Sequence, residues 1–177
     1  MIKKTVASES IHQFMYDVME KYHMELFGAE ITVTIFMCEK VDKFGNSTHE
    51  PAIIRRGQRC DATIKKASPT DLGLGSGLLI MNIDALYWED ASDDDRIALI
   101  DHELCHFQLK RNAKTNEIEL DGNDKPKLKA VPHDIEVGVF YDVIRRHGPD
   151  CADYKAMVNL HASCEAACRQ YLGGEDE

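Results

Sequence analysis

The chain has 177 residues, of which 44% are hydrophobic and 29% are charged, a composition typical of one soluble globular domain. Its formal net charge of -10 argues against binding to nucleic acid or to an anionic membrane through bulk electrostatics. We therefore expect a single domain over residues 1–172, followed by a flexible acidic tail at 173–177. The composition assigns no oligomeric state.

The sequence lacks the usual signals for membrane insertion or secretion. No apolar run approaches the roughly 20 residues that span a bilayer, and the start "MIKKTVASESIHQF" lacks the apolar core of a secretory signal. The six cysteines form no repeated C-x-x-C pair and are too sparse for a secreted disulfide scaffold. We predict a cytoplasmic protein with reduced, mostly buried thiols.

The first half of the chain is predicted to combine one helix with several strands. Apolar residues recur at helical spacing over residues 9–27, directly before Gly28. The segment "ITVTIFMCEK" at 31–40 is rich in β-branched residues and predicts a strand. The remaining predictions are a loop or hairpin at 42–60, a weaker strand at 61–66 and a buried, nearly continuous apolar strand at 77–88.

A second helix is predicted from Ser92 to about residue 111. Ser92 suits an N-cap, and the three aspartates that follow it lie where the helix dipole favours negative charge. An apolar stripe should turn this helix towards the core, and it consists of Ile97, Ile100, Leu104 and Phe107.

The rest of the chain is predicted to form a polar loop and two further helices. The loop covers residues 112–131 and contains turn residues that favour a small hairpin at Asp121–Gly122. Proline is tolerated in the first turn of a helix, so the next helix should cover 132–147 and end before Gly148. The last helix is predicted at 152–172.

The segment "HELCH" within the second helix carries the strongest chemical signal. His102 and His106 lie four residues apart, so both imidazoles can reach one metal ion from the same helix face. Glu103 lies one residue round, where it can reach a water on that ion and accept its proton. Cys105 points away from the two histidines and is expected to be a small buried filler.

A catalytic zinc ion usually has three protein ligands and one open position. The metzincin pattern is excluded, because it requires glycine at position 109 and histidine at 112, where this chain has Leu109 and Asn112. The downstream segment "VPHDIEVGVF" offers His133 or Glu136 as the third ligand. His133 is favoured, Glu136 remains the alternative, and whichever is not the ligand can orient one.

Together, "HELCH" and the later "PHDIE" make the sequence similar to SprT-like zinc metallopeptidases, and more closely to the putative phage metallopeptidase family related to them. The resemblance runs from about Leu78 to Gly148. It implies an α+β, compact zincin-like fold in which a small, twisted, mostly antiparallel sheet packs on helices. It also implies an active-site helix that carries HExxH and an edge strand that binds an extended peptide.

By the same resemblance, His102, His106 and His133 are the Zn²⁺ ligands and Glu103 is the general base. The implied activity is zinc-dependent hydrolysis of peptide bonds in a protein or peptide substrate. SprT-like proteins that act on DNA-crosslinked proteins often carry a cysteine zinc ribbon or another DNA-binding module. This chain has neither and is acidic, so a role in DNA repair is not carried over.

Two other functions remain open from the sequence. A phage protein with this scaffold can act as a binding or inhibitory adaptor of a host protein, its acidic surface mimicking nucleic acid. The intact Glu103 argues against this, because a pure binder needs no base there. A zinc hydrolase that acts on a non-peptide amide should have a closed pocket in place of an open groove along the 78–84 strand.

Overall fold

The computed structural model describes residues 1–55, 57–132, 149, 154–155 and 157–164. The chain divides into two compact units, Met1–Pro132 and His133–Glu177. The described residues of the second unit include a helical stretch at 157–164, within the predicted last helix. The predicted helix at 132–147 and the tail at 173–177 lie outside the described residues, apart from Pro132, and a single domain over 1–172 stays a prediction.

The described residues of the first unit form eight strands and five helices. The strands are Ile2–Val6 (β1), Val33–Lys40 (β2), Ile54–Arg55 (β3), Gln58–Arg59 (β4), Ala62–Lys66 (β5), Leu79–Asp84 (β6), Phe107–Leu109 (β7) and Leu128–Ala130 (β8). The helices are Glu9–Tyr22 (α1), Met24–Gly28 (α2), Pro69–Gly73 (α3), Ala85–Asp90 (α4) and Asp93–Cys105 (α5). No helix among the described residues is both long enough and apolar enough to cross a bilayer.

The main sheet is mixed and has the strand order β1-β2-β6-β5. The β2–β6 pair is parallel, whereas β1–β2 and β5–β6 are antiparallel. Helices α1 and α5 contribute Met15, Met19, Ile100 and Leu104 to the same buried cluster as the apolar residues of β2 and β6. An α+β fold with a mostly antiparallel sheet packed on helices is thereby confirmed.

All six residues of β6 are buried, as the apolar run at 77–88 predicts, but the strand ends at Asp84. The fully buried Asp84 carboxylate accepts hydrogen bonds from Leu86 N (3.1 Å) and Tyr87 N (3.3 Å), which begins α4. Its other oxygen accepts from Ala52 N at 2.7 Å. Because β2 and β5 flank β6, the strand cannot form an edge groove, and β5 is the edge of the sheet on this side.

Two predicted helices are shorter than their apolar periodicity suggests. The helix predicted at 9–27 breaks at His23, whose backbone angles (φ -126°, ψ 49°) are not helical. The helix predicted to reach residue 111 ends at Cys105, because Phe107–Leu109 pairs with Leu128–Ala130 as a hairpin. The predicted turn at Asp121–Gly122 lies within the same hairpin, where the Asp121 carboxylate accepts from Asn123 N at 2.8 Å.

Candidate active site

The N-terminal end of α5 is held by a capping box. Ser92 Oγ accepts a hydrogen bond from Asp95 N at 3.2 Å, and the Asp95 carboxylate accepts from Ser92 N at 3.3 Å. Arg96 donates from its guanidinium to the Trp88 carbonyl at 2.8 Å and so ties the helix to α4. The predicted N-cap is confirmed.

The buried stripe of α5 sets the direction of its polar face. Ile100 and Leu104 are completely buried against the sheet and α1. Their positions fix the rotation of the helix about its axis, because side chains four residues apart lie on one face. Glu103 is carried to the buried side of the helix, His102 to the solvent side, and His106 to a half-buried position.

His102 and His106 lie beside each other at the C-terminal end of α5. Their ring centroids are 5.3 Å apart with the ring planes at 88°. His106 is the C-cap residue and keeps helical backbone angles (φ -67°, ψ -6°), so the i, i+4 relation survives although the helix has ended.

Val131 anchors His106 through two hydrogen bonds. His106 Nδ1 lies 3.0 Å from the Val131 carbonyl oxygen, and Val131 N donates to the His106 carbonyl at 2.8 Å. Since a carbonyl can only accept, Nδ1 must carry the hydrogen. Nε2 is then the nitrogen suited to bind a metal ion, as in the usual arrangement of metal-binding histidines in proteins.

Glu103 is 6% exposed. Burial raises the pKa of its carboxyl, and the charges of His106 and Arg55 and a hydrogen bond from the Ile64 backbone oppose that shift. A carboxylate with a raised pKa holds a proton more readily than an exposed one, which suits a general base. The hydrogen bond from Ile64 places the carboxylate against strand β5.

The hydrogen bond from Ile64 also locates the outer edge of the sheet. Asp61 O and Ala67 N pair with β6 at 2.8 and 2.9 Å. Because inward and outward backbone groups alternate in an antiparallel pair, the backbone groups of Ala62, Ile64 and Lys66 face away from β6. Cys60 Sγ donates to the outward Ala62 carbonyl at 2.9 Å.

The chemistry of this donor set fits a zinc ion. Two imidazoles stand on one face, one of them with its Nδ1 committed to a carbonyl, and a buried carboxylate lies next to them. The predicted third ligands, His133 and Glu136, lie outside the described residues.

Sequence reasoning missed a second cluster of donors, two of which lie on the same helix. His23, Asp101 and Cys105 place one potential ligand atom each within 4.8 Å of the others. One signal was available in the sequence. Asp101 and Cys105 are four residues apart on α5, as the two histidines are, and each directly precedes one of those histidines. The contribution of His23 carried no signal, because it lies 78 residues from Asp101 in the chain.

The prediction that Cys105 is a buried filler is wrong, because its side chain is exposed. The core positions of α5 belong to Ile100 and Leu104, and the quarter turn that separates Cys105 from Leu104 leads to solvent. Of the other described cysteines, Cys38 is buried, Cys60 is half-buried and Cys164 is exposed. The prediction of mostly buried thiols is therefore wrong for the described cysteines.

A family model described as "Putative phage metallopeptidase" matches residues 3–162. No curated protein and no solved structure matches the chain. The matched region covers the sheet, α5 and the residues downstream as far as the described helical stretch at 157–164. The relation to SprT-like enzymes stays a prediction.

Proposed function

The chain belongs to the putative phage metallopeptidase family, and we propose that it is a zinc-dependent peptidase that hydrolyses peptide bonds with Glu103 as the general base. One observation carries the proposal. A buried glutamate follows the first of two histidines that lie side by side, and it also accepts a hydrogen bond from the backbone of an edge strand.

The proposed zinc ligands are His102, His106 and, from the second unit, His133, with Glu136 as the alternative. A bound zinc ion would polarise the substrate carbonyl and bring the pKa of a water molecule close to 7. The hydrogen bond from His106 Nδ1 to Val131 keeps the ring in the tautomer that presents Nε2. Val131 lies two residues before His133 in the sequence.

Glu103 would accept the proton of the attacking water and deliver it to the leaving amine. Its burial keeps bulk solvent away from the carboxylate, and the positive charge of Arg55 supports the ionised form. The hydrogen bond from the Ile64 backbone ties the carboxylate to β5 and also favours its ionised form.

The proposed substrate is an extended peptide that adds to the outer edge of β5. Main-chain hydrogen bonds to an exposed strand edge bind peptides with little dependence on sequence. The Ile64 N–H already bonds the Glu103 carboxylate, and the Ala62 carbonyl accepts from Cys60 Sγ. A peptide would therefore pair with other outward groups of β5, and it would run close to the base. The substrate class is therefore a protein segment that can be extended.

The decisive experiment compares the wild type with Glu103→Gln in a peptide-library cleavage assay, with bound zinc measured on the same samples. We expect Glu103→Gln to keep its zinc and to lose turnover by about 10²- to 10⁴-fold, the contribution typical of a general base. Glu117→Gln is the matched control, because Glu117 is an exposed glutamate in the hairpin that follows α5.

Equal behaviour of the wild type and Glu103→Gln in every assay, with stoichiometric zinc in both, would reject the peptidase and favour the adaptor of a host protein. Cleavage of small amides but of no peptide would favour a non-peptide substrate. Loss of turnover in the Glu117→Gln control would trace the effect to the fold instead of the base.

A further inference from the structure

We propose that His23, Asp101 and Cys105 form a second divalent-metal site, separate from the histidine pair and selective for zinc-like ions. Their ligand atoms all lie within 4.8 Å of one another. His23 Nε2 is 2.7 Å from Asp101 Oδ1, and Cys105 Sγ is 3.9 Å from the same oxygen. The proposal does not depend on peptidase activity.

Helix geometry places this cluster on a face of α5 next to that of the histidine pair. Asp101 and Cys105 each precede one of the two histidines by one residue, which rotates their side chains by about 100° around the helix axis. The third donor comes from the junction of α1 and α2, where His23 ends one helix and begins the next. The cluster therefore joins two segments that are distant in the sequence.

The distances suit a tetrahedral site after small side-chain movements. Zinc bonds of about 2.0–2.3 Å place neighbouring ligand atoms about 3.3–3.7 Å apart. The pair at 2.7 Å must open by about 0.6 Å, and any separation near the 4.8 Å limit must close by about 1 Å. Asp101 has room to turn because 40% of its side chain is exposed, whereas His23 is held with only 12% exposed.

Solvent reaches the cluster directly, because Cys105 is exposed and 40% of the Asp101 side chain is exposed. A groove of about 390 Å³ borders His23 on its other side. Three protein ligands leave one tetrahedral position for water. An ion could therefore enter without unfolding the helix junction.

The mixture of donors predicts which ion is bound. A thiolate and an imidazole favour Zn²⁺ and Co²⁺ over Mg²⁺ and Ca²⁺, which prefer oxygen. The histidine pair and its proposed third ligand offer no sulfur. Sulfur ligation therefore distinguishes the two sites spectroscopically.

The consequence for the fold is a metal cross-link between the α1–α2 junction and the C-terminal part of α5. The cross-link would replace the hydrogen bond between His23 and Asp101. It would restrain α5 one residue away from each proposed catalytic ligand. The second ion is therefore expected to position the active helix without touching substrate.

The test is cobalt substitution of the full-length protein, read by absorption. A thiolate bound to Co²⁺ gives a charge-transfer band in the near ultraviolet that nitrogen and oxygen ligands do not give. We expect this band in the wild type, its loss in Cys105→Ser, and its retention in Cys164→Ser, which changes another exposed cysteine. With zinc, Cys105→Ser should bind one ion fewer per chain.

Two further variants test the other donors. Asp101→Asn and His23→Gln should weaken cobalt binding at the sulfur site by at least about tenfold, since even changes outside the ligand shell cost about 10- to 100-fold. Saturating zinc should also protect Cys105 from alkylation in the wild type and protect it less in Asp101→Asn. Circular dichroism confirms that each variant is folded.

A wild type without the band overturns the proposal, as does a band that survives in Cys105→Ser or disappears in Cys164→Ser. His106→Ala separates this proposal from the peptidase. If the band remains while one other ion is lost, the two sites are independent. If His106→Ala keeps both ions, the proposed catalytic site fails and the sulfur site stands.

Discussion

The two ends of α5 are built in different ways. At the N-terminal end, the side chains of Ser92 and Asp95 each accept a hydrogen bond from the other's backbone N–H, within a span of four residues. At the C-terminal end, Glu103 is held by β5 and His106 by Val131, 25 residues further along the chain. The start of α5 is set by residues of the helix itself, whereas its end is set by contacts with distant parts of the chain.

The N-terminal end of α5 contributes to stability, whereas the C-terminal end carries the groups proposed for catalysis. A capping box contributes about 1 kcal/mol to helix stability and leaves the other end of a long helix unchanged. The C-terminal end instead contains a buried carboxylate whose pKa is raised by burial, a cost that a protein tolerates where the group has a function. Substitutions at the two ends should therefore change different observables.

The largest effect is expected from His106→Ala. The variant should lose the ion bound by the histidine pair, and it also loses the hydrogen bond from the ring to the Val131 carbonyl. We expect the free energy of unfolding to fall by about 1 kcal/mol in chelator and by more in the presence of zinc, because a bound ion stabilises only the folded state. Thermal unfolding with and without zinc measures both.

His161→Ala serves as the control for that variant, because His161 lies on the exposed helical stretch of the second unit. It should leave the zinc-dependent part of the stability unchanged. An equal loss of zinc stabilisation in both histidine variants would contradict the assignment of His106 as a ligand.

An intermediate effect is expected from Ser92→Ala. Loss of the cap should lower the free energy of unfolding by about 1 kcal/mol and the melting temperature by about 2–4 °C for a chain of this size. Zinc stoichiometry should not change, and Ser92→Asn should restore most of the stability because asparagine also caps helices. A change in bound zinc would show that the two ends of α5 are coupled.

The smallest effect concerns the hairpin that follows α5. Lys110, and more weakly Lys127, hold the pKa of Glu119 below its ordinary value of 4.5. A lowered folded-state pKa gives stability that is present above the unfolded value and is lost as the pH falls through the folded value. Glu119→Gln should therefore be slightly less stable than the wild type at neutral pH and equally stable at strongly acidic pH.

Urea unfolding at several pH values measures this difference. Added salt should reduce it, because Lys110 is exposed and Glu119 is in part open to solvent. If the difference in unfolding free energy between wild type and Glu119→Gln grew as the pH fell, the pKa of Glu119 would not be lowered in the folded state.

Much of the fold could be predicted from local patterns. The apolar run of β6, the β-branched residues of β2 and the cap at Ser92 all appear where the sequence predicts them. Strand β1 was missed because all five of its residues are exposed. Its sequence therefore lacks the alternation of apolar and polar residues that marks a half-buried strand. Strand β7 was missed because Phe107 continues the helical stripe of α5, and only pairing with residues 128–130 makes it a strand.

By itself, the sequence determined the spacing of His102, Glu103 and His106 and the start of their helix, because helical periodicity and capping act over about four residues. Only the tertiary structure decided that Glu103 is buried beside β5, that Val131 selects the His106 tautomer and that His23 lies next to Asp101. Each of those features needs a partner from a distant part of the chain, and burial and side-chain orientation are set when such partners pack together.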